Sequence, residues 1–150
     1  LYVGNEVRLM NAYFVTCTGY DVDEDGNVTC VYATYDPESR GGNSPDGRKV
    51  RGTIHWVSAK TAKKAEIRLY ENIVDEEKGV YNEDGSINVN PNSLTVIKEA
   101  YVEPELEKYD KGDSFQFMRT GYFCLDSKDS TKEHMVFNRI VSLKSSYKPN

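Results

Sequence analysis

The strongest constraint on the fold of this chain is a period of two. Along residues 49–56, Val50, Gly52, Ile54 and Trp56 alternate with Lys49, Arg51, Thr53 and His55, so one face is mostly apolar and the other polar and basic. A half-buried β-strand presents side chains in this way. Pro45, Asp46 and Gly47 place a turn before it. Ser58 is positioned to cap one short turn through Ala62. Glu66–Tyr70 then alternates again, with Ile67 and Leu69 opposite Glu66, Arg68 and Tyr70.

The same pattern recurs along the chain. Val7–Tyr20 reads as a strand, with Val7, Leu9, Tyr13, Val15 and Cys17 on one face and a slip around Asn11–Ala12. After an acidic turn, Val28–Tyr35 returns beside it as a hairpin. Asp36–Lys49 is a loop rich in Gly, Pro, Ser and Asn. From Ser93, Leu94 and Val96 alternate with Thr95 and Ile97; with both faces apolar, a strand buried on two sides is expected. Glu103–Tyr109 suits a short helix, with Pro104 in its first turn and Gly112 past its end. Ser114–Leu125 has strand composition throughout, Phe115 and Phe117 opposing Gln116 and Met118, with Gly121 allowing a bulge or bend. Asp126–Glu133 is a polar turn, and Met135–Ser142 is the last strand. About eight short strands, one or two helical turns and no long helix predict an all-β chain of small barrels. The acidic segment 75–92, with turn signals at Gly79 and Gly85, divides it into expected units 1–74 and 93–150.

Charge is informative through its distribution. The net charge of −5 argues against a polyanionic partner. Between Arg40 and Arg68, however, Arg40, Arg48, Lys49, Arg51, Lys60, Lys63, Lys64 and Arg68 stand against only Asp46 and Glu66. A basic stripe on an acidic body can attract phosphates while its acidic faces disfavour wrong poses. For Arg48, Lys49, Arg51, Lys60, Lys63 and Lys64, phosphate contact and a plain solvated face remain equally open.

Several apparent motifs fail on inspection. Asp21–Gly26 imitates the opening of a calcium loop, but Tyr32 stands where a bidentate glutamate is required and strands flank it. Gly42–Gly47 imitates a phosphate loop, but Arg48 and Lys49 follow it instead of Lys and a hydroxyl residue. The Asn27-Val-Thr29 sequon carries little weight. Cys17, Cys30 and Cys124 are too scattered for a zinc cluster; Cys17 and Cys30 form the one pair able to face each other across a hairpin, and reduced thiols are expected. His55 is expected to be a strand residue hydrogen-bonded near Trp56, and His134 sits in a polar turn. Neither neighbours a nucleophile or metal motif, so no catalytic residue and no metal site is assigned.

Beyond these local readings, DGRKVRGTIHWVSA (46–59) followed by EIRLYENI (66–73) resembles the C-terminal anticodon-binding region of glutaminyl-tRNA synthetases. The likeness extends to GNEVRLMNAY (4–13), NPNSLTVIK (90–98), FQFMRTGYFCLD (115–126) and VFNRIVSL (136–143), covering nearly the whole chain. The resemblance implies two β-barrels of the ribosomal-L25-like, anticodon-binding type, with strands exchanged between them. The first spans 1–74 and part of the second spans 93–150. It implies a tRNA(Gln) partner for a glutamine–tRNA ligase acting as a monomer in the cytoplasm, away from membranes. The HIGH and KMSKS motifs that grip ATP in class I synthetases do not occur here. ATP and catalysis are therefore expected in a catalytic half upstream of Leu1, with no cofactor in this segment and the chain a fragment of a longer polypeptide.

Two positions carry the implied recognition. On EVRL, Arg8 occupies the place that contacts the first anticodon nucleotide; on FQF, Gln116 occupies a place that contacts the central uridine. From the residues alone, both read as solvated strand positions. Arginine suits base reading through its rigid fork, and an amide can both donate to and accept from uridine. Some relatives carry a second arginine two places after the first; here that place is Met10. Further readers, including those of the third base, are expected before this segment. The rival readings are a ribosomal-RNA-binding barrel protein and an extracellular β module for sugar or protein.

Overall fold

The computed structural model describes residues 1–74 and 78–143. The described chain is all-β, with nine strands: β1 (Glu6–Leu9), β2 (Phe14–Val22), β3 (Val28–Asp36), β4 (Thr53–Ile54), β5 (Lys63–Tyr70), β6 (Leu94–Val102), β7 (Ser114–Phe117), β8 (Gly121–Leu125) and β9 (Met135–Ser142). Short 3-10 helices at Pro37–Ser39 and Pro104–Lys108 are the helical pieces, the second in place of the helix expected there. The strands form two sheets, ordered β3-β2-β1-β4 and β6-β5-β9-β8-β7. Neither sheet is closed into a barrel among the described residues, since the terminal strands of each do not pair with one another.

The chain divides into two compact units between Trp56 and Val57. β5 pairs with β6 and β9, so it belongs to the second sheet and not to the 1–74 span expected for the first barrel. The acidic segment expected to link two β units instead joins β5 to β6 within one sheet. Bridges Val74–Val89 and Tyr81–Ile87 hold it, with a turn closed by Gly85 N–H on Asn82 O. Residues 75–77 of that segment, and 144–150 of the expected second barrel, lie outside the described residues.

In the first unit, the slip at Asn11–Ala12 is a chain reversal. Asn11 adopts φ +56°, a left-handed conformation that asparagine tolerates better than most residues. The single strand expected over Val7–Tyr20 is thereby two strands, β1 and β2, paired antiparallel with Val7 opposite Val15 and Arg8 opposite Phe14. The other edge of β1 pairs in parallel with β4. The alternation over 49–56 yields only two strand residues, because Gly52 turns to φ +94° and breaks the extended run. Trp56 stays exposed, its indole N–H donating to Met10 O at 3.0 Å, and His55 is exposed with no hydrogen-bond partner among the described residues.

The β2–β3 hairpin is as expected. Its loop is closed by Asp23, whose Oδ1 accepts from the backbone N–H groups of Asp25 and Asn27 at 3.0 and 2.8 Å. The Asn27 backbone bond leads the interactions that lower the Asp23 carboxyl below its usual range. Cys17 faces Ala33 and Cys30 faces Asp21, so the two thiols do not meet and both are free.

The second unit is built on a denser core. Ala65, Ile67, Val102, Phe123, Leu125, Met135 and Phe137 are buried, with Phe115 and Phe117 packed against them. The Phe117 ring stacks on Phe123 at 4.7 Å and meets Phe137 edge-on at 5.3 Å. Such aromatic contacts add roughly 0.5–1.5 kcal/mol each beyond the area they bury. Ser114–Leu125 is again two strands, reversing at Met118–Thr120 where Arg119 has φ +64°. Gly121 is needed for close approach: a Cβ there would sit 2.7 Å from Val141 O on β9. β6 departs from its expected burial on two sides. It is an edge strand paired only with β5, leaving Leu94, Val96 and Ile97 at 46, 39 and 42% exposure.

Asp126 fastens the β8–β9 loop. Its carboxylate accepts from the N–H groups of Asp129 and Lys128 at 2.7 and 2.8 Å, and from the Asn138 amide at 2.6 Å. These bonds, the Asp129 N–H first among them, pull its pKa down to about 2. A depressed carboxyl contributes stability above its unfolded pKa and loses it as pH falls through the folded value.

Two outcomes follow for urea unfolding. Gly121→Ala lowers stability by about 1–3 kcal/mol, since a backbone oxygen must move to admit the methyl. Asp126→Asn costs about 2 kcal/mol at pH 7, and its difference from the parent chain shrinks as the pH is taken from 4 to 2.

Candidate nucleic-acid interface

β1 places Arg8 between β2 and β4, with its backbone N–H donating to Gly52 O at 3.0 Å. Its guanidinium carbon lies 5.2 Å from the centroid of the Phe14 ring, which is wholly buried. Its Nε is shut off from solvent and has no hydrogen-bond partner among the described residues. A cation over an aromatic face is attracted by the ring quadrupole. That attraction directs the group without occupying its N–H donors, so Arg8 retains an unused fork.

Arg48 lies at the same 5.2 Å from the Phe14 centroid, but its donors are fully engaged. It binds Glu6 through Nε at 3.0 Å and Nη2 at 2.9 Å, Asp36 at 2.5 Å and Asp46 at 2.7 Å. The bidentate bond with Glu6 leads the three that raise the Arg48 pKa further above its ordinary value. Asp36 is lowered first by the Arg48 side chain, and Asp46 first by the Arg48 backbone N–H. Arg48 was a candidate for phosphate contact; the structure commits its guanidinium to these carboxylates.

The remaining basic residues divide in the same manner. Lys63 pairs with Glu107 at 2.7 Å, Lys64 with Glu99 at 2.9 Å, and Arg68 with Glu66 and Asp129 at 2.7 and 2.6 Å. Arg40, Lys49, Arg51 and Lys60 are exposed and have no carboxylate partner among the described residues. Half of the basic stripe is therefore neutralised locally. Glu66 and Asp46 lie two residues from their arginines, but Glu6, Asp36, Glu99, Glu107 and Asp129 come from distant parts of the sequence, which a reading of local charge does not reveal.

Gln116 lies on β7, an edge strand, opposite Tyr122. Its neighbours Phe115 and Phe117 turn inward to the aromatic cluster, so the alternation leaves Gln116 exposed, its amide without a partner among the described residues. Arg8 is thus grouped with Phe14, Arg48 and Gly42 in the first unit, and Gln116 with Tyr122 and the Arg119 turn in the second. Phe14 and Gly42 escaped the sequence reading: Phe14 looks like any core aromatic, and Gly42 like any loop glycine. Among the described residues, no group of three or more His, Cys, Asp or Glu side chains is arranged to hold a metal ion. No helix among them is long and apolar enough to cross a membrane.

Two family models, each described as the anticodon-binding domain of class I tRNA synthetases (E and Q), match residues 1–36 and 53–126. The chain belongs to this family. Its relatives include the glutamine–tRNA ligase of Clostridium kluyveri, 55% identical over 150 residues and matching 99% of this chain. That of Clostridioides difficile is 48% identical over 153 residues, matching 99% of this chain, and that of Vibrio vulnificus is 47% identical over 147 residues, matching 98%. The chain spans about a quarter of the length of these curated relatives: 27, 27 and 26% respectively. Family membership agrees with the all-β fold and with the resemblance read from the sequence. The two matched spans fall on the strands that carry Arg8 and Gln116.

A structural role for Arg48 has a measurable signature. Arg48→Ala leaves Glu6, Asp36 and Asp46 facing one another and lowers the thermal midpoint by several degrees at pH 7. Because the depressed carboxylates contribute only above their unfolded pKa, the deficit narrows below about pH 4. Scanning calorimetry at pH 7 and pH 3 checks both parts.

Proposed function

We propose that this chain is the tRNA anticodon-recognition module of a glutamine–tRNA ligase. The ATP-dependent attachment of glutamine to tRNA(Gln) takes place in the remainder of the same polypeptide, which works as a monomer in the cytoplasm. Family membership supports anticodon binding, and the relatives' shared name supports glutamine as the amino acid. One observation carries the assignment of a reading residue: Arg8 is held against Phe14 with its Nε enclosed and its fork unused.

With Nε enclosed, the terminal Nη groups of Arg8 are the donors within reach of a ligand, and a polar contact made or missed there is worth roughly 1–3 kcal/mol. A splayed nucleobase brings planar acceptors for these donors, and RNA loops are read on such unstacked edges. Gln116 complements this in a second way. Its exposed amide both donates and accepts, matching the carbonyl and the N3–H of uridine. In this reading Arg8 contacts the first anticodon base and Gln116 the central uridine. Met10 supplies no guanidinium, so Arg8 acts without the second arginine that some relatives place there. Lys49, Arg51 and Lys60, free of carboxylates, supply phosphate attraction that does not depend on sequence. Lys63 and Lys64 contribute less, because each must first leave an ion pair, and Arg48 contributes through the fold alone.

The test uses the complete ligase. Arg8→Ala and Gln116→Ala are each expected to lower kcat/KM for tRNA(Gln) by roughly tenfold to hundredfold, matching a lost polar contact of about 1–3 kcal/mol. The KM for ATP should not move. Unchanged tRNA kinetics in both variants would overturn the assignment.

A further inference from the structure

The slot that holds Arg8 has a wall made by an absent side chain. Gly42 has φ +84°, and a Cβ built there would lie 3.0 Å from Arg8 Cδ and 3.4 Å from its Nε. Cδ leads into the guanidinium and Nε is its first nitrogen. Gly41, its neighbour, has the same φ of +84°, yet a Cβ there meets nothing within 4 Å. The two glycines therefore share a backbone requirement, and only one of them makes room for Arg8.

Gly42 is also tied to the ring against which Arg8 lies. Its N–H donates to Ser39 O at 2.9 Å. Ser39 is wholly buried; its Oγ accepts from Phe14 N–H at 2.8 Å and donates to Asp36 O at 2.6 Å. Phe14 in turn is the cross-strand partner of Arg8. The connection runs from Gly42 to Ser39 to Phe14 to Arg8, and the Arg48 guanidinium holds Asp36 and Asp46 at either side of the Gly42 loop.

We propose that Gly42 is a positioning residue for Arg8: its bare α-carbon and the Phe14 ring together fix the guanidinium in the one orientation that meets a planar acceptor on the RNA. This rests on the reading of Arg8 as an anticodon contact. Arginine is long and flexible, and holding it in place before the ligand arrives reduces the ordering cost of binding. A methyl at position 42 pushes Cδ and Nε aside by a few tenths of an ångström. The two Nη groups beyond them then swing by more.

The experiment compares Gly42→Ala, Gly41→Ala, Arg8→Ala and the Gly42→Ala/Arg8→Ala double variant in the complete ligase, with tRNA(Gln) as the probe. Gly42→Ala is expected to raise the KM for tRNA about tenfold with the KM for ATP unmoved, since a small misplacement of a contact group is costly. Gly41→Ala incurs the same left-handed backbone strain and so a similar fall in thermal midpoint, but should change the tRNA KM by less than about twofold. The double variant should be no worse than Arg8→Ala, because a positioning effect vanishes with the group positioned. Equal tRNA effects in Gly41→Ala and Gly42→Ala, or multiplying effects in the double variant, would overturn the proposal and leave the reading of Arg8 intact. An Arg8→Ala variant with unchanged tRNA kinetics would instead remove the reading on which the proposal rests.

Discussion

The Arg48 guanidinium joins three carboxylates that arrive from different parts of the chain: Glu6 from β1, Asp36 from the end of β3 and Asp46 from the loop that follows. Among the described residues, no other arginine or lysine of the first unit is met by as many carboxylates. The sheet there is small, four strands of which one has only two residues, and its buried apolar set is Val7, Ala12, Phe14 and Cys17. A core of that size does little to order a long loop rich in Gly, Pro and Ser, because each residue fixed costs about 1–2 kcal/mol of backbone entropy. The arginine fork compensates through geometry, since its planar donors satisfy several carboxylates at once. With the loop in place, Gly42 lies against Arg8. The candidate reading residue therefore lies beside a loop that this ion cluster helps to order.

The two arginines at Phe14 are chemically alike and opposite in surroundings. Both lie 5.2 Å from the same ring centroid. Arg48 is surrounded by carboxylates, and Arg8 has none among the described residues. Had the charges been shared, Arg8 would be drawn into an ion pair and its donors spent. Because Glu6, Asp36 and Asp46 are all engaged by Arg48, the cluster screens Arg8 from internal partners. The same principle runs through the second unit, where Lys63, Lys64 and Arg68 are each met by an acid. Exposed pairs of this kind contribute little stability, about 0–1 kcal/mol. Their larger effect is to withdraw positive charge from the surface, leaving it to the few basic residues without a carboxylate partner among the described residues.

The sequence disclosed the fold class and the faces of several strands, because period two survives whenever one side of a strand is buried. β9 came out at its full length, and Phe115 and Phe117 turned inward as their spacing implied, with Gln116 outward. Reversals were less legible. Asn11 and Arg119 take left-handed conformations inside runs of strand-like composition, so each run read as one strand where the chain doubles back. Neither place carries the Asn-Gly or Asp-Gly pair that marks a tight hairpin. Burial of β6 was misjudged for a related reason: apolar residues on both faces suit a central strand, yet position in a sheet is a property of the whole topology. The parallel pairings β1–β4 and β5–β9 are likewise non-local. At the site, Arg8 and Gln116 stood out by resemblance, while their surroundings depended on contacts such as Gly42 with Arg8 that link separate segments of the chain.

The acidic composition and the proposed RNA contact are compatible once charge is followed residue by residue. A net charge of −5 describes the whole chain, whereas an approaching phosphate responds to charges within about a Debye length, some 8–10 Å at moderate salt. An acidic surface lowers the attraction for RNA in general and so weakens every wrong encounter equally. In the proposed reading discrimination falls to the short-range groups, where the Arg8 donors that no carboxylate occupies separate a fitting base from a misfit by more than diffuse attraction does. A module with few free cations and a rigidly held arginine gains selectivity at the expense of raw affinity. Half of the basic stripe in this chain is met by its own carboxylates, and in the proposed reading the donors of Arg8 are left for the ligand.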